Sequence, residues 1–287
     1  KMYDVVIIGK GPAGISAAIY AIRSGMKTLV IGSGIGMLEK AKEIENYYGI
    51  EEVLTGTEVQ QIGERQLKNL GGELVNAEVT GIGFGEAYVV NSTAGDFGAK
   101  TVVIAVGKSR RGIKLPGAAE FEGKGVSYCA VCDGFFYKGK VVGVLGDGDY
   151  ALHEAQHLAG FAEKVSIFTN GKPFTATGDH NFEIIEGPVE KIVGDEVVTG
   201  LVLKDGSEYE LNGIFVAVGQ ASAADFAQKL GIEVVNGNIK VDENGMTNMP
   251  GIFAAGDCIG GLYQMSAAVG EGAVAGQRAA EYVKKNR

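Results

Sequence analysis

Near-continuous apolar runs alternate with glycine-bearing turns and helical spacings along this chain. Tyr3-Asp4-Val5-Val6-Ile7-Ile8 reads as a buried strand. After Gly9-Lys10-Gly11-Pro12-Ala13-Gly14, the run Ile15-Ser16-Ala17-Ala18-Ile19-Tyr20-Ala21 takes helical spacing. Thr28-Leu29-Val30-Ile31 predicts a second strand and completes a strand, helix, strand unit of ordinary length. The same order returns with the apolar run 141–145, the loop Gly146-Asp147-Gly148-Asp149-Tyr150-Ala151, a helix through Leu158 and a strand at 165–168. Two copies of one grammar predict two related domains.

Two further apolar strands, at 102–107 and 214–219, both end in Ala-Val-Gly and lead into polar connections, which marks them as the domain crossings. Beyond the second crossing, Ile252-Phe253-Ala254-Ala255-Gly256-Asp257 and an Ala/Gly-rich final helix have no unit of their own to join. They are expected to return to the first domain and make the second an insertion. The expected fold class is α/β, with two Rossmann-like domains, one from residues 1–110 and 221–287 and the inserted one from 111–220.

Composition narrows the picture. The 287 residues, 46% hydrophobic, suffice for two cores, and 46 glycines against five prolines suit many tight turns and close backbone approaches. A formal charge of −9 disfavours nucleic acid as a partner; the basic residues are scattered except for Lys108-Ser109-Arg110-Arg111 with Lys114. No apolar run has the length of a membrane span, and KMYDVVIIGKG enters a strand without a signal-peptide layout. A cytoplasmic protein without membrane or nucleic-acid partners is the expectation.

The two glycine loops differ in charge. In the first, Gly9 permits the tight turn, Gly11 lets backbone approach a pyrophosphate, and Gly14 allows close helix-strand packing with the helix N-terminus facing the anion. The acid expected after the second strand to hold a ribose is replaced by Ile31-Gly32-Ser33-Gly34, so Ser33 or backbone must serve. In the second loop, Asp147 and Asp149 stand where a pyrophosphate would lie and repel it, with Asp149 expected to cap the helix. Thr169-Asn170-Gly171-Lys172-Pro173-Phe174 then supplies neither an acid for a ribose nor an arginine for a 2′-phosphate.

Between the loops lies Cys129-Ala130-Val131-Cys132-Asp133-Gly134. Two thiols at this spacing can close into a small, reducible disulfide. Half of a metal site, or two unpaired buried thiols, are the alternative readings, though only Cys258 is available to complete a thiolate cage. His153-Glu154-Ala155-Gln156-His157 matches the zinc-protease pattern, but it lies on a helix expected against a sheet and has no identifiable third ligand. Both histidines are expected on the exposed helix surface, and no metal is expected.

Taken together, residues 9–14, Glu45-Asn46, Ile104-Ala105-Val106-Gly107, 129–137 and 252–257 resemble the low-molecular-weight thioredoxin reductases across nearly the whole chain. The resemblance implies FAD in the first domain, held by Gly9, Gly11, Pro12, Ala13 and Gly14. It extends the contact set to Gly32, Ser33, Gly36, Met37 and Leu38, and to Val79, Ala105, Gly107 and Gly256. It places Asp257 near the ribityl-pyrophosphate and Asn46 and Gln264 near the flavin ring, with Met265 a further cofactor contact. It also implies that Cys132 faces the flavin, Cys129 attacks thioredoxin and Asp133 moves protons, in a homodimeric assembly; the two connections between the domains lead to the separate expectation of relative domain movement between these tasks.

Departures from that family are informative. Its ordinary members carry Gly-Gly-Gly in the second loop and His-Arg-Arg after the next strand, where this chain has Gly146-Asp147-Gly148 and Phe168-Thr169-Asn170, and Tyr263 replaces a usual arginine. These changes resemble the ferredoxin-dependent flavin thioredoxin reductases, which implies ferredoxin as electron donor. A basic area including Lys108, Arg110 and Arg111 is the expected dock for that acidic partner.

Overall fold

The structure is a computed structural model that describes residues 1–34, 36–107, 113–128, 130–218, 227 and 229–286. Cys129, Gly219 and the basic residues Lys108, Arg110 and Arg111 lie outside the described residues. The chain divides into two compact units, Lys1–Ser109 with Ser222–Arg287, and Arg110–Ala221.

The first unit is built on strands β1 (Met2–Ile8), β2 (Thr28–Ile31), β3 (Glu73–Val75), β4 (Val79–Phe84), β5 (Tyr88–Ser92) and β6 (Gly95–Ile104). They form one sheet in the order β3-β2-β1-β6-β5-β4. β1 lies parallel between β2 and β6, with Val6 opposite Leu29 on one side and Val102 on the other. Burial on both faces explains why β1 reads as a continuous apolar run rather than an alternation. β6 is long enough to serve two partners: its first half pairs antiparallel with β5, its second half parallel with a late strand.

The second unit holds β7 (Val126–Ser127), β8 (Val141–Leu145), β9 (Lys164–Phe168), β10 (Glu183–Ile185), β11 (Val189–Gly194), β12 (Val198–Leu203), β13 (Glu208–Glu210) and β14 (Gly213–Val216). Five make a parallel sheet in the order β10-β9-β8-β14-β7, and β11 to β13 make an antiparallel one. Then β15 (Val234–Val235), β16 (Asn238–Ile239) and β17 (Ile252–Ala254) return to the first unit, where β17 takes its place beside β6. The second unit is thus inserted into the first.

Helices α1 (Pro12–Arg23) and α2 (Gly56–Asn69) belong to the first unit, and α3 (Ala130–Asp133) and α4 (Asp149–Leu158) to the second. The final helix, α5 (Met265–Lys285), closes the first unit against α1. A methyl group at Gly272 would stand 2.2 Å from the Ala13 carbonyl oxygen, and one at Gly276 2.1 Å from that of Ala17. Small residues one turn apart let the two helix backbones touch, and the Ser16 hydroxyl donates across the contact to the Val269 carbonyl at 2.7 Å. That contact is the physical reason for the Ala/Gly-rich final helix. Among the described residues no helix is long and apolar enough to cross a membrane.

Candidate functional site

In the first unit, the turn from β1 to α1 is wound tightly. Gly9 has φ +108°, and a methyl group there would stand 2.2 Å from the Ala105 carbonyl oxygen, so neither conformation nor space admits a side chain. A methyl group at Gly14 would stand 1.9 Å from the Gly9 carbonyl oxygen. Gly11, by contrast, faces open space: nothing lies within 4 Å of where its Cβ would be. Gly11 is the N-cap, Pro12 opens the helix, no side chain caps it and no acid lies in its first turn. Free N–H groups and the positive end of the helix dipole therefore face an open cradle, which suits an anion.

The rim of this cradle collects residues distant in sequence. Gly32 lies against the Lys10 backbone, and its N–H donates to the Val75 carbonyl at 3.2 Å. Gly36, with φ +58°, begins a short 3-10 turn, Gly36–Lys40, which carries the exposed Met37 and the half-buried Leu38; Ser33 precedes it. The Leu38 carbonyl abuts Gly56 at the start of α2. Gly256, with φ +81°, sits against the Ala13 side chain, a methyl group there falling 2.8 Å from Ala13 Cβ, so Asp257 follows directly on the first turn of α1. Across 218 positions the Asn46 amide donates to Gln264 Oε1 at 3.2 Å, beside Met265 at the start of α5. Val79 is set apart, buried in β4 opposite Ser92, and Gly107 follows β6 with φ +69°.

One feature near Gly256, Glu271, was not foreseen. Glu271 Oε2 accepts the Gly256 N–H at 2.9 Å. Burial raises its carboxyl above the ordinary value against the pull of that N–H, and the Asp257 charge raises it further. A lone acid within the run of small residues 266–276 was the only available signal. Cys258 is fully buried, its thiol facing the carbonyls of Ile104 and Ala255 and pushed up by burial to about 12, so it is inert filler.

In the second unit, α3 carries Cys132 and Asp133. The Ser127 hydroxyl donates to Asp133 Oδ2 at 2.7 Å. Gly134 packs under Leu158, and Tyr137 fills the space over Gly213, edge-on to Phe215. Burial, then the Asp133 charge, raises the Tyr137 phenol. Phe135 and Phe136 point out, 66% and 70% exposed.

The zinc-protease pattern has another use. Glu154 is buried and its Oε2 accepts the Ala130 N–H at 3.0 Å. Nor are the histidines fully exposed: both are half-buried, His153 Nδ1 lying 3.3 Å from Glu154 Oε1 and His157 resting on the Phe161 ring. Among the described residues no group of three or more His, Cys, Asp or Glu stands close enough to hold a metal ion.

The second glycine loop repeats the first and then departs from it. A methyl group at Gly146 would stand 2.1 Å from the Ala217 carbonyl oxygen, as Gly9 does to Ala105. The expectation that Asp149 caps α4 is corrected: Gly148 is the N-cap and Asp149 the first helical residue. Its carboxylate instead accepts the Thr177 N–H at 2.9 Å. Thr175 donates through its N–H and its hydroxyl to the Asp147 carbonyl, at 2.8 and 2.9 Å, and Lys172 pairs with the Asp147 carboxylate at 3.1 Å. The segment 172–179 thus lies over the loop.

Residues 3–272 match the pyridine nucleotide-disulphide oxidoreductase family. The chain belongs to that family. Within it, the chain is 40% identical to a thioredoxin reductase of Aquifex aeolicus over 280 residues, 90% of this chain and 86% of that protein. Its fold is similar to the crystal structure of the atypical thioredoxin reductase TRi from Desulfovibrio vulgaris Hildenborough, with TM-score 0.93, 39% identity and 98% of each chain covered. It is also similar to a ferredoxin-flavin thioredoxin reductase from Clostridium acetobutylicum, with TM-score 0.74, 34% identity and 99% of each covered. This member of the pyridine nucleotide-disulphide oxidoreductases is a flavin disulfide oxidoreductase of the thioredoxin reductase type. Its cofactor is FAD, and the open cradle at Gly11 fits that group.

Proposed function

We propose that this protein reduces thioredoxin through the Cys129-Cys132 pair, with electrons supplied by ferredoxin rather than by NADPH or NADH. The observation that carries the choice of donor is the covered second loop. Thr175 donates to the Asp147 carbonyl and Thr177 to the Asp149 carboxylate, which lays the segment 172–179 over the turn where a coenzyme's pyrophosphate would approach. Asp149 in the first turn of α4 opposes an anion as well.

FAD, when bound, supplies the conversion of single electrons into a pair. Gly9, Gly11, Pro12, Ala13 and Gly14 hold its pyrophosphate, Asp257 and Gly256 its ribityl region, and Asn46 and Gln264 the ring. Two electrons and two protons open the Cys129-Cys132 disulfide to two thiols. Cys132 is the member that exchanges electrons with the flavin. Cys129, as thiolate, attacks the thioredoxin disulfide, and Cys132 then displaces reduced thioredoxin and restores the pair. Asp133, oriented by Ser127, holds the proton exchanged in these steps. Phe135 and Phe136 give a protein substrate an apolar surface beside the pair.

The test is anaerobic. Reduced ferredoxin bleaches the flavin and sustains thioredoxin reduction, while NADPH and NADH at millimolar concentration leave the flavin oxidised; bleaching by either nucleotide removes ferredoxin from the proposal. Cys129→Ser and Cys132→Ser each abolish thioredoxin reduction with flavin retained.

A further inference from the structure

A dinucleotide site of this kind normally holds its adenosine ribose with an acid after the second strand, and Gly32 stands there instead. The structure shows that no side chain fits at that position. A methyl group at Gly32 would stand 2.9 Å from the Lys10 backbone nitrogen and 3.2 Å from Lys10 Cγ. The stem of Lys10 thus fills the space from which the acid would extend.

The ends of β1, β2 and β3 lie side by side, Ile8 opposite Ile31 and Ile31 opposite Val75. Lys10, Gly32 and Asn76 therefore share the carboxyl edge of the sheet, where ligands of such folds sit. The Lys10 ammonium donates to Asn76 Oδ1 at 2.8 Å and lies 3.2 Å from Oε1 of Glu64, which comes from the middle of α2. Gln60, 4% exposed, ties α2 to the same loop, its amide donating to the Lys10 carbonyl at 2.7 Å and to Glu64 Oε1 at 3.0 Å.

Burial raises the Glu64 carboxyl, but Gln60, Lys10 and Lys68 together hold it below the ordinary value, so it is ionised at neutral pH. Lys10 and Gln60 both meet Oε1; among the described residues Glu64 Oε2 and Asn76 Nδ2 take part in no hydrogen bond. One acceptor and one donor are left open at the sheet edge. A carboxylate oxygen accepts from hydroxyl groups, and an amide N–H donates to a hydroxyl oxygen. A vicinal diol satisfies both.

We propose that Glu64 replaces the missing ribose acid: its open oxygen, with the Asn76 amide, takes the vicinal hydroxyls of the adenosine ribose of FAD, while Lys10 holds the two side chains in place. This rests on the cradle at Gly11 taking FAD and is independent of the electron donor.

The experiment equilibrates holoenzyme with equal excesses of FAD and an FAD analogue whose adenosine ribose lacks the 2′ and 3′ hydroxyls, and reads the bound flavins by mass. Wild type prefers FAD by about tenfold or more, the worth of a hydrogen bond to a charged group. In Glu64→Gln, which keeps a neutral oxygen for Lys10 and Gln60, the preference falls below about threefold. A variant that only loosens α2 weakens both flavins alike and leaves the preference intact, so an unchanged preference in Glu64→Gln overturns the proposal, as does no preference in wild type. Should Glu64→Gln fail to fold, Asn76→Ala at an exposed position decides, with a reduced preference expected and an unchanged one overturning the proposal. A preference that Ser33→Ala abolishes and Glu64→Gln does not also overturns it. Wild type that binds neither flavin sinks the cofactor reading instead.

Discussion

The two glycine loops of this protein share a plan and differ in what stands over them. Gly9 and Gly146 make the same tight turn, each pressed against a carbonyl of the neighbouring strand's end, Ala105 in one and Ala217 in the other. Gly11 then faces open space, whereas the Thr175 hydroxyl comes 3.8 Å from where a Cβ on Gly148 would lie. α1 begins with no acid in its first turn; α4 begins with Asp149, whose charge is spent on Thr177. On the proposed reading, a duplicated nucleotide turn keeps its packing role without a binding role, because the two roles depend on different atoms. Glycine contacts to the adjacent strand hold the fold, and free N–H groups at the helix start hold a ligand.

Substitutions at matched positions break this comparison most sharply. Gly14→Ala drives a methyl group into the Gly9 carbonyl, although the matching residue of the second loop, Ala151, already carries one. It is expected to lower stability by about 3 kcal/mol and to strip the flavin, seen as a fall in melting temperature and in yellow absorbance. Next comes the pair Gly11→Ala and Gly148→Ala. Both positions have extended backbone that alanine adopts without strain, so both variants fold. Gly11→Ala weakens flavin retention about tenfold or more, roughly 1.4 kcal/mol or above, by filling the open cradle, and Gly148→Ala leaves it unchanged. Equal flavin titrations for the two would erase the distinction between the loops.

A smaller effect is expected from Glu271, beside the first loop. Its raised carboxyl means that the folded unit holds this proton more tightly than the unfolded chain. The stability so gained is complete below the ordinary carboxylate value and is lost as pH rises through the raised one. Glu271→Gln removes that loss, so its melting temperature relative to wild type climbs as pH rises above the ordinary carboxylate value of about 4.3. A difference flat with pH would remove Glu271 from the linkage. The smallest effect belongs to Asp147→Gly combined with Asp149→Asn, which takes away both charges and leaves the covering segment in place. NADPH still fails to bleach its flavin; bleaching would return the decision to charge alone.

How far these features could be read beforehand follows from their range along the chain. Strands such as Met2–Ile8 and Val141–Leu145 announce themselves because burial on both faces demands consecutive apolar residues. The glycine spacing of the first loop is legible for the same reason: turn, approach and packing are each local demands. Asp149 was misjudged as a cap because a helix start fits either of two adjacent residues, and Thr177 decided between them from 28 positions away. Glu154 was weighed as a metal-site base because the HExxH spacing is local, while its partner, the Ala130 N–H, is not. The charge at Asp147 was foreseen, but not that Lys172 offsets it, so the covering segment rather than repulsion alone closes the second loop.

What the amino-acid sequence determined by itself was the duplicated grammar and the insertion of one unit in the other, since each rests on residues near one another in the chain. Only the tertiary structure decided which glycine loop stays open, what Glu154 and Glu271 hold, and how Asn46 meets Gln264. These depend on backbone N–H groups and on side chains brought together from distant segments, and a donor that every residue carries leaves no mark in a sequence until folding selects its acceptor.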